Sequence, residues 1–339
     1  MCANRNVELI WNKGIAAQCD WRIPDEFSGG RTYASVRALR DVNDAPPDDL
    51  ISYPQVFCDV RDGDLIWVRL TWLRSFIKQV LPFINSRVVL VTGDSDWSVP
   101  SDVMPEARAI LASPRVIHWY AQNADKTFDG TRISAIPIGI DFHTLSERPY
   151  WGEQRASPHE QEEVVNRTCR ALPRLEERQR RVYVDFAWQA KAAYQRLGEA
   201  KFAKRAQIIR GLSTSDLVFC QSAALPRNQM WLQRGDYAFV LSLPGNGLDC
   251  HRTWEALALG HIVLVPVSSL DSSLYGDLPV VTVRAWDEIT ATNLNSLVRR
   301  FGRDESYRQR LTSKWWVEQM RLKAVPARRC HRHRGPAKA

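Results

Sequence analysis

One stretch constrains this chain more than any other: residues 237–267, YAFVLSLPGNGLDCHRTWEALALGHIVLVPV. It reads as strand, glycine-bearing loop, short helix and buried strand. Residues 237–243 are apolar, rich in β-formers and of strand length. Pro244, Gly245, Asn246 and Gly247 break that run, because these residues favour turns and positive φ. Asp249 is placed to cap the following helix, its carboxylate accepting from first-turn N–H groups. Gly260 is the expected stop, and residues 262–267 read as a strand buried on both faces. Along the helix Trp254 and Leu257 share one side, while Arg252 and Glu255 share roughly the opposite one.

That pattern has a chemical use. A helix N-terminus presents unpaired N–H groups and partial positive charge, so phosphate settles there. Arg252 can fork onto a diphosphate, His251 beside it can touch phosphate, and Glu255 one turn on can accept from ribose hydroxyls. The plainer alternative is a surface Arg–Glu pair at i,i+3.

The rest of the chain repeats the strand–helix alternation. Residues 7–11 are a candidate strand, followed by an acidic, proline-bearing loop at 41–53. Strands are expected at 65–69, 87–91, 115–120 and 133–140, with helices at 72–80 and 105–111 between them. Residues 142–178 are polar and carry Pro149, Pro158 and Pro173, as an interdomain connection would. The alternation resumes at 181–186, then a basic helix is expected over 189–210, a strand at 217–220 and a last strand at 280–283. A final helix over 305–323 has Leu311, Trp315, Trp316 and Met320 on one side, a packing face. Alternation of this kind gives a parallel α/β sheet whose ligands gather beyond the strand C-termini.

Several residues sit where such ligands would be. Asp94 and Asp96 follow a buried strand, and either carboxylate can serve as a general base or, more plainly, stabilise a turn. Gln122 and Asn123 end the next strand and can hydrogen-bond a substrate. His118 lies among apolar neighbours, which favours a core histidine over a base or phosphate ligand. Gly139, Asp141 and His143 close the first half, with Gly139 allowing the backbone to approach a ligand or simply to turn.

Composition sets bounds. A chain of 339 residues with 45% hydrophobic content fills two domains. The net charge of +8 suits anionic ligands or peripheral contact with a membrane surface, while no zinc-finger, homeodomain or RNP pattern supports a nucleic-acid partner. Seven dispersed cysteines without a CxxC pair point to reduced thiols and no zinc site. With no membrane-length apolar run and no signal-peptide pattern, a cytoplasmic setting is expected.

The run over 239–266, with Leu241, Ser242, Gly245, Gly247, Asp249, Arg252, Trp254, Glu255, Gly260 and the 262–266 strand, resembles the donor-binding segment of exostosin-like glycosyltransferases. The close match covers about thirty residues; elsewhere the agreement is one of architecture. The resemblance implies a GT-B fold, two Rossmann-like parallel-sheet domains facing a central cleft. Residues 1–145 would form the acceptor side, 146–178 the linker, 179–323 the donor domain, and 324–339 a basic, disordered tail. The final helix would cross back to the first domain, as GT-B helices often do. Gly245, Asn246, Gly247, His251, Arg252 and Glu255 would hold a nucleotide-sugar, a UDP-sugar first, with Arg252 near the phosphates and Glu255 on the ribose. Asp94 or Asp96 would be the base, and His118, Gln122, Asn123, Gly139 and Asp141 would form the acceptor side. The acceptor would be a glycan or glycolipid hydroxyl, the reaction inverting, and no cofactor or divalent metal required. Asp94-Ser95-Asp96 spells the Asp-x-Asp of metal-dependent GT-A enzymes, but it lies in the half opposite the nucleotide signature. A GDP-sugar enzyme of the fucosyltransferase kind, a nucleotide-sugar epimerase and a degenerate glycan-binding scaffold are the rivals.

Overall fold

A computed structural model describes residues 7–23, 31–32, 51, 54–125, 132–185, 207–208, 210–302 and 305–324. Two parallel sheets organise them. The first holds β1 (Trp21–Ile23), β2 (Arg31–Thr32), β3 (Leu65–Arg69), β4 (Val88–Gly93), β5 (Val116–Gln122) and β6 (Ile133–Ile136), in the order β2-β1-β3-β4-β5-β6. The second holds β7 (Gln179–Val184), β8 (Val218–Cys220), β9 (Tyr237–Leu241), β10 (Ile262–Pro266) and β11 (Val280–Val283), in the order β11-β10-β9-β7-β8. Every neighbouring pair in both sheets is parallel.

The continuous apolar runs explain the central strands. Each residue of β4 and of β9 is buried, as covering by helices on both faces requires. Strand order reverses between β1 and β3 in the first sheet and between β7 and β9 in the second. Such reversals open a crevice at the strand C-termini, where ligands bind in doubly wound sheets.

Among the helices are α1 (Asn12–Gln18), α2 (Met104–Ala112), α3 (His143–Glu147), α4 (Pro158–Ala171), α5 (Arg227–Arg234), α6 (His251–Ala258), α7 (Ala291–Phe301) and α8 (Ser313–Ala324). The span 142–178 is more ordered than its prolines suggest. Ser157 and Glu160 form a reciprocal capping box that starts α4. From α4, Glu162 accepts from the N–H groups of Glu8 and Leu9 at 2.8 and 2.6 Å.

Residues 7–11 are not the expected strand. They make isolated antiparallel bridges, Leu9 to Thr312 and Trp11 to Gly139, and Ile10 donates to the Leu311 carbonyl at 2.7 Å. Their backbone is shared among three separate partners, so no ladder forms. The expected helix over 189–210 lies almost wholly outside the described residues, as does the tail beyond 324.

The last helix returns to the first half. Helix α8 packs on α1 and against β4 and β5, Ser313 donates to the Glu8 carbonyl at 3.0 Å, and Arg321 pairs with Asp20 at 3.0 Å. The apolar core follows the same path: Trp254, Leu257, Trp316 and Met320 belong to one buried cluster with the residues of β3, β4 and β5. Two parallel α/β halves with their strand C-termini facing each other, and a last helix crossing back, make this a GT-B fold. Among the described residues no helix is long and apolar enough to cross a membrane.

Candidate functional site

The crevice of the second sheet holds a dense set of charges. A cleft of about 240 Å³ is lined by Asp185 at the end of β7, Arg227 of α5, and Arg252 and Glu255 of α6, with Trp151 and Asp141 from before β7. Arg252 Nε donates to Asp185 Oδ1 at 2.6 Å. Burial works against the Arg252 charge, but Asp185 more than restores it, so the guanidinium is held firmly charged. Glu255 is gripped from the other side: Arg227 Nη2 donates to it at 2.7 Å and Trp231 Nε1 at 3.4 Å. Arg227 in turn stacks between Trp151 and Trp231, 4.8 and 4.5 Å from their ring centres, and donates to Gln161 and to the Asp141 carbonyl.

A third arginine stands behind these. Arg234 is fully buried, 3.7 Å from Asp185, and none of its three guanidinium nitrogens makes a hydrogen bond. Burial pulls its pKa down despite Asp185 and Glu255. The cleft is lined by two guanidiniums, Arg227 and Arg252, and three carboxylates, Asp141, Asp185 and Glu255, with Arg234 buried behind the wall.

Helix α6 is reached by a loop whose residues serve the seam between the halves. Asp249 does not cap α6 as expected; Cys250 occupies the cap position. The Asp249 carboxylate instead accepts from Ile138 N at 2.8 Å, Cys250 N at 2.9 Å and Trp254 Nε1 at 2.8 Å, and its own N–H donates to Asn123 Oδ1 at 2.8 Å. Gly247 does not have the expected positive φ; its requirement is space, because a Cβ there would stand 2.7 Å from Asn123 Nδ2. Asn246 is exposed and Gly245 half-buried on the same loop. Gly139 has φ +72°, but the backbone it approaches is that of Ile10 and Trp11. Its carbonyl accepts from His251 Nδ1 at 2.7 Å, fixing that ring across the seam.

On the first half, Asp94 and Asp96 part company. Asp96 is exposed. Asp94 has φ 56°, is buried, and is clamped by Arg69, whose Nε donates to it at 2.7 Å. Burial raises its pKa, but Arg69, Lys13 and His143 outweigh that and hold it below the usual carboxylate range. A carboxylate so neutralised is a weak proton acceptor. Gln122 is spent within the same loop, accepting from Asp94 N and donating to the Ser95 carbonyl. His118 is not brought to the cleft: it bonds Ser134 of β6 at 2.9 Å and packs on Tyr120, and burial lowers its pKa to about 4.

The fold also assembles what linear spacing hid. Asp141 and His143, after β6, meet His251 of α6, and ligand-type atoms of the three lie within 4.8 Å of one another. No short-range motif joins them, so sequence reasoning found no His cluster. Arg227, Arg234 and Trp151 were missed likewise, although Asp185 at the end of a predicted strand was a usable signal.

Two other hollows lie on the second half. One of about 520 Å³ lies at the opposite end of the second sheet, where Arg178 is occupied with the Leu259 and Gly260 carbonyls. One of about 370 Å³ adjoins Ser242, Pro244, Cys250 and Thr253, on the side of α6 away from Glu255.

No protein-family model matches this chain, and no curated protein matches it. Among solved structures it is similar to an α,α-trehalose-phosphate synthase (UDP-forming) from Burkholderia vietnamiensis, at 12% identity over 80% of this chain and 73% of that one, TM-score 0.33. A structure from E. coli described as trehalose-6-phosphate bound with UDP-2-fluoro glucose is 10% identical over 80% and 73%, TM-score 0.31. An α-glucosyltransferase in complex with UDP and a 13-mer DNA is 11% identical over 79% and 78%, TM-score 0.30. Each is a remote likeness, too distant for an activity to pass from it to this chain.

Proposed function

We propose that this protein is a glycosyltransferase that moves a sugar from a nucleotide-sugar, a UDP-sugar first, onto a hydroxyl of a glycan or glycolipid. The observation that carries this reading is the convergence of Arg252 and Glu255 on one cleft, beside Arg227 and Asp185, at the crevice where strand order reverses. The resemblance of residues 239–266 to an exostosin-like donor segment supports it. In the reaction, charge grows on the departing nucleoside diphosphate. Arg252 and the N-terminal end of α6 stabilise that charge, and Glu255 holds the ribose. Transfer is inverting in this reading, with direct displacement at the anomeric carbon.

Thermal stabilisation by UDP, GDP and CMP, each with its sugars, tests the proposal. A nucleotide bound only by the folded chain at about 100 times its Kd adds about 2.7 kcal/mol of stability. UDP is expected to raise the melting temperature, and Glu255→Ala to abolish the rise. No response to any nucleotide would remove the donor site.

A further inference from the structure

Asp141 and His143 form a pair that nucleotide binding does not use. His143 Nδ1 lies 2.9 Å from Asp141 Oδ1. Asp141 also accepts from the Thr144 N–H at 3.0 Å and from Thr144 Oγ1 at 2.8 Å. Both carboxylate oxygens are therefore held by donors, which keeps Asp141 ionised and immobile. An acceptor at Nδ1 sets the tautomer: the proton resides on Nδ1 and the lone pair on Nε2. An imidazole oriented in this way by a buried carboxylate is equipped to take a proton. The Asp141 side chain is 8% exposed and that of His143 is 32% exposed, so the imidazole is more open to solvent than its anchor. Asp141 and His251 line the cleft of Arg252 and Glu255, and the His143 ring stands beside that cleft, 5.7 Å from the ring of His251 at the start of α6.

We propose that His143 is the general base of the transfer, with Asp141 as its positioning residue. This rests on the glycosyltransferase reading above. The acceptor hydroxyl oxygen bonds to the anomeric carbon as the carbon–oxygen bond to the diphosphate breaks. The bonding pair leaves with the nucleoside diphosphate, and the hydroxyl proton passes to His143 Nε2 and later to water. Asp94, clamped by Arg69, is thereby relieved of the role that its position after β4 suggests.

The charges around the ring fix its pH behaviour. Asp141 faces it from its own segment, His251 from α6, Lys13 from α1 and Asp94 from the loop after β4, while Glu147 of α3 is paired with Lys13 at 3.4 Å. Burial lowers the His143 pKa, but the Asp141 bond and charge outweigh it and the net shift is upward. The free base therefore forms at higher pH than in an ordinary imidazole, and activity rises with pH through that limb.

The test uses the full chain as wild type, His143→Gln and Asp141→Asn. It reads UDP stabilisation together with UDP release from UDP-glucose, UDP-galactose and UDP-N-acetylglucosamine, with water and simple saccharides as acceptors. His143→Gln is expected to keep the UDP shift and lose about 10²-fold or more in kcat. Asp141→Asn is expected to lower kcat with little change in KM and to move the acid limb to lower pH. Imidazole ¹⁵N spectra should show the Nδ1–H form in the wild type. Turnover of His143→Gln within about threefold of the wild type, an unmoved limb in Asp141→Asn, or an Nε2–H ring would each overturn the base. So would a wild type that binds UDP and releases none from the donors. Loss of turnover on chelation, restored by a divalent cation, would reassign Asp141, His143 and His251 as ligands and also overturn it. Absence of any UDP shift in the wild type would instead sink the donor reading itself.

Discussion

Asp249 is 3% exposed, and its carboxylate draws N–H groups from both halves of the chain: Ile138 on one side, Cys250 and Trp254 on the other. Burial raises its pKa from 3.8 to about 6, against the pull of those three donors. A folded-state value above the unfolded one means that the native state holds the proton more tightly between the two. Stability from this group is therefore present below pH 3.8 and is lost as pH rises through about 6. Asp249→Asn should remove that slope. Relative to the wild type, the variant should gain up to about 3 kcal/mol between pH 4 and 6, read from urea unfolding across that window. Two glycines give a sharper contrast. At Gly139 a side chain would meet both a φ of +72° and the backbone of Ile10, and backbone cannot step aside. At Gly247 the nearest atoms it would meet belong to the Asn123 side chain. Gly139→Ala should cost about 3 kcal/mol or more and Gly247→Ala about 1–3 kcal/mol, the order to be read from denaturation midpoints.

Helices α5 and α6 work as a unit through Arg227 and Glu255. Arg227→Met removes the ion-pair partner of the buried Glu255 carboxylate and leaves it the weaker bond from Trp231 Nε1. A loss of about 3–5 kcal/mol in stability is expected, with the UDP response gone. If UDP still bound with unchanged affinity, Glu255 would not be organised by that pair. At this scale the sequence was informative where local pattern suffices. The apolar runs of β4, β9 and β10 and the glycine stop after α6, with φ +76° at Gly260, could be read directly. What failed was non-local. Asp249 looks like a cap because Ser, Thr, Asn and Asp before an amphipathic run usually are caps. Its true partner, Ile138, is remote in sequence. Residues 7–11 look like a strand because a short apolar run carries no period of its own. The meeting of Asp141 and His143 with His251 depends on how the halves dock, which no motif records.

Across the whole molecule, one chain segment ties the two sheets together. Helix α8 leaves the second half and covers the first, with Met320 fully buried, Trp316 set edge-on to Trp254 of α6, and Arg321 on Asp20. Met320→Ala should cost about 2–5 kcal/mol. Because Met320 shares a buried cluster with both α6 and β3–β5, calorimetry should show a single broadened transition moving down as one. Two separated transitions would mean that the halves unfold independently. The return of α8 also sets a schedule for biosynthesis. Chains fold domain by domain as they emerge, the N-terminal part first. Here β1 to β6 are complete by Ile136, yet the helix that seats on α1, β4 and β5 ends at Ala324. Throughout translation of the second half, the nascent first half must wait with that apolar seat uncovered, and it finishes folding only when the last helix has cleared the ribosome.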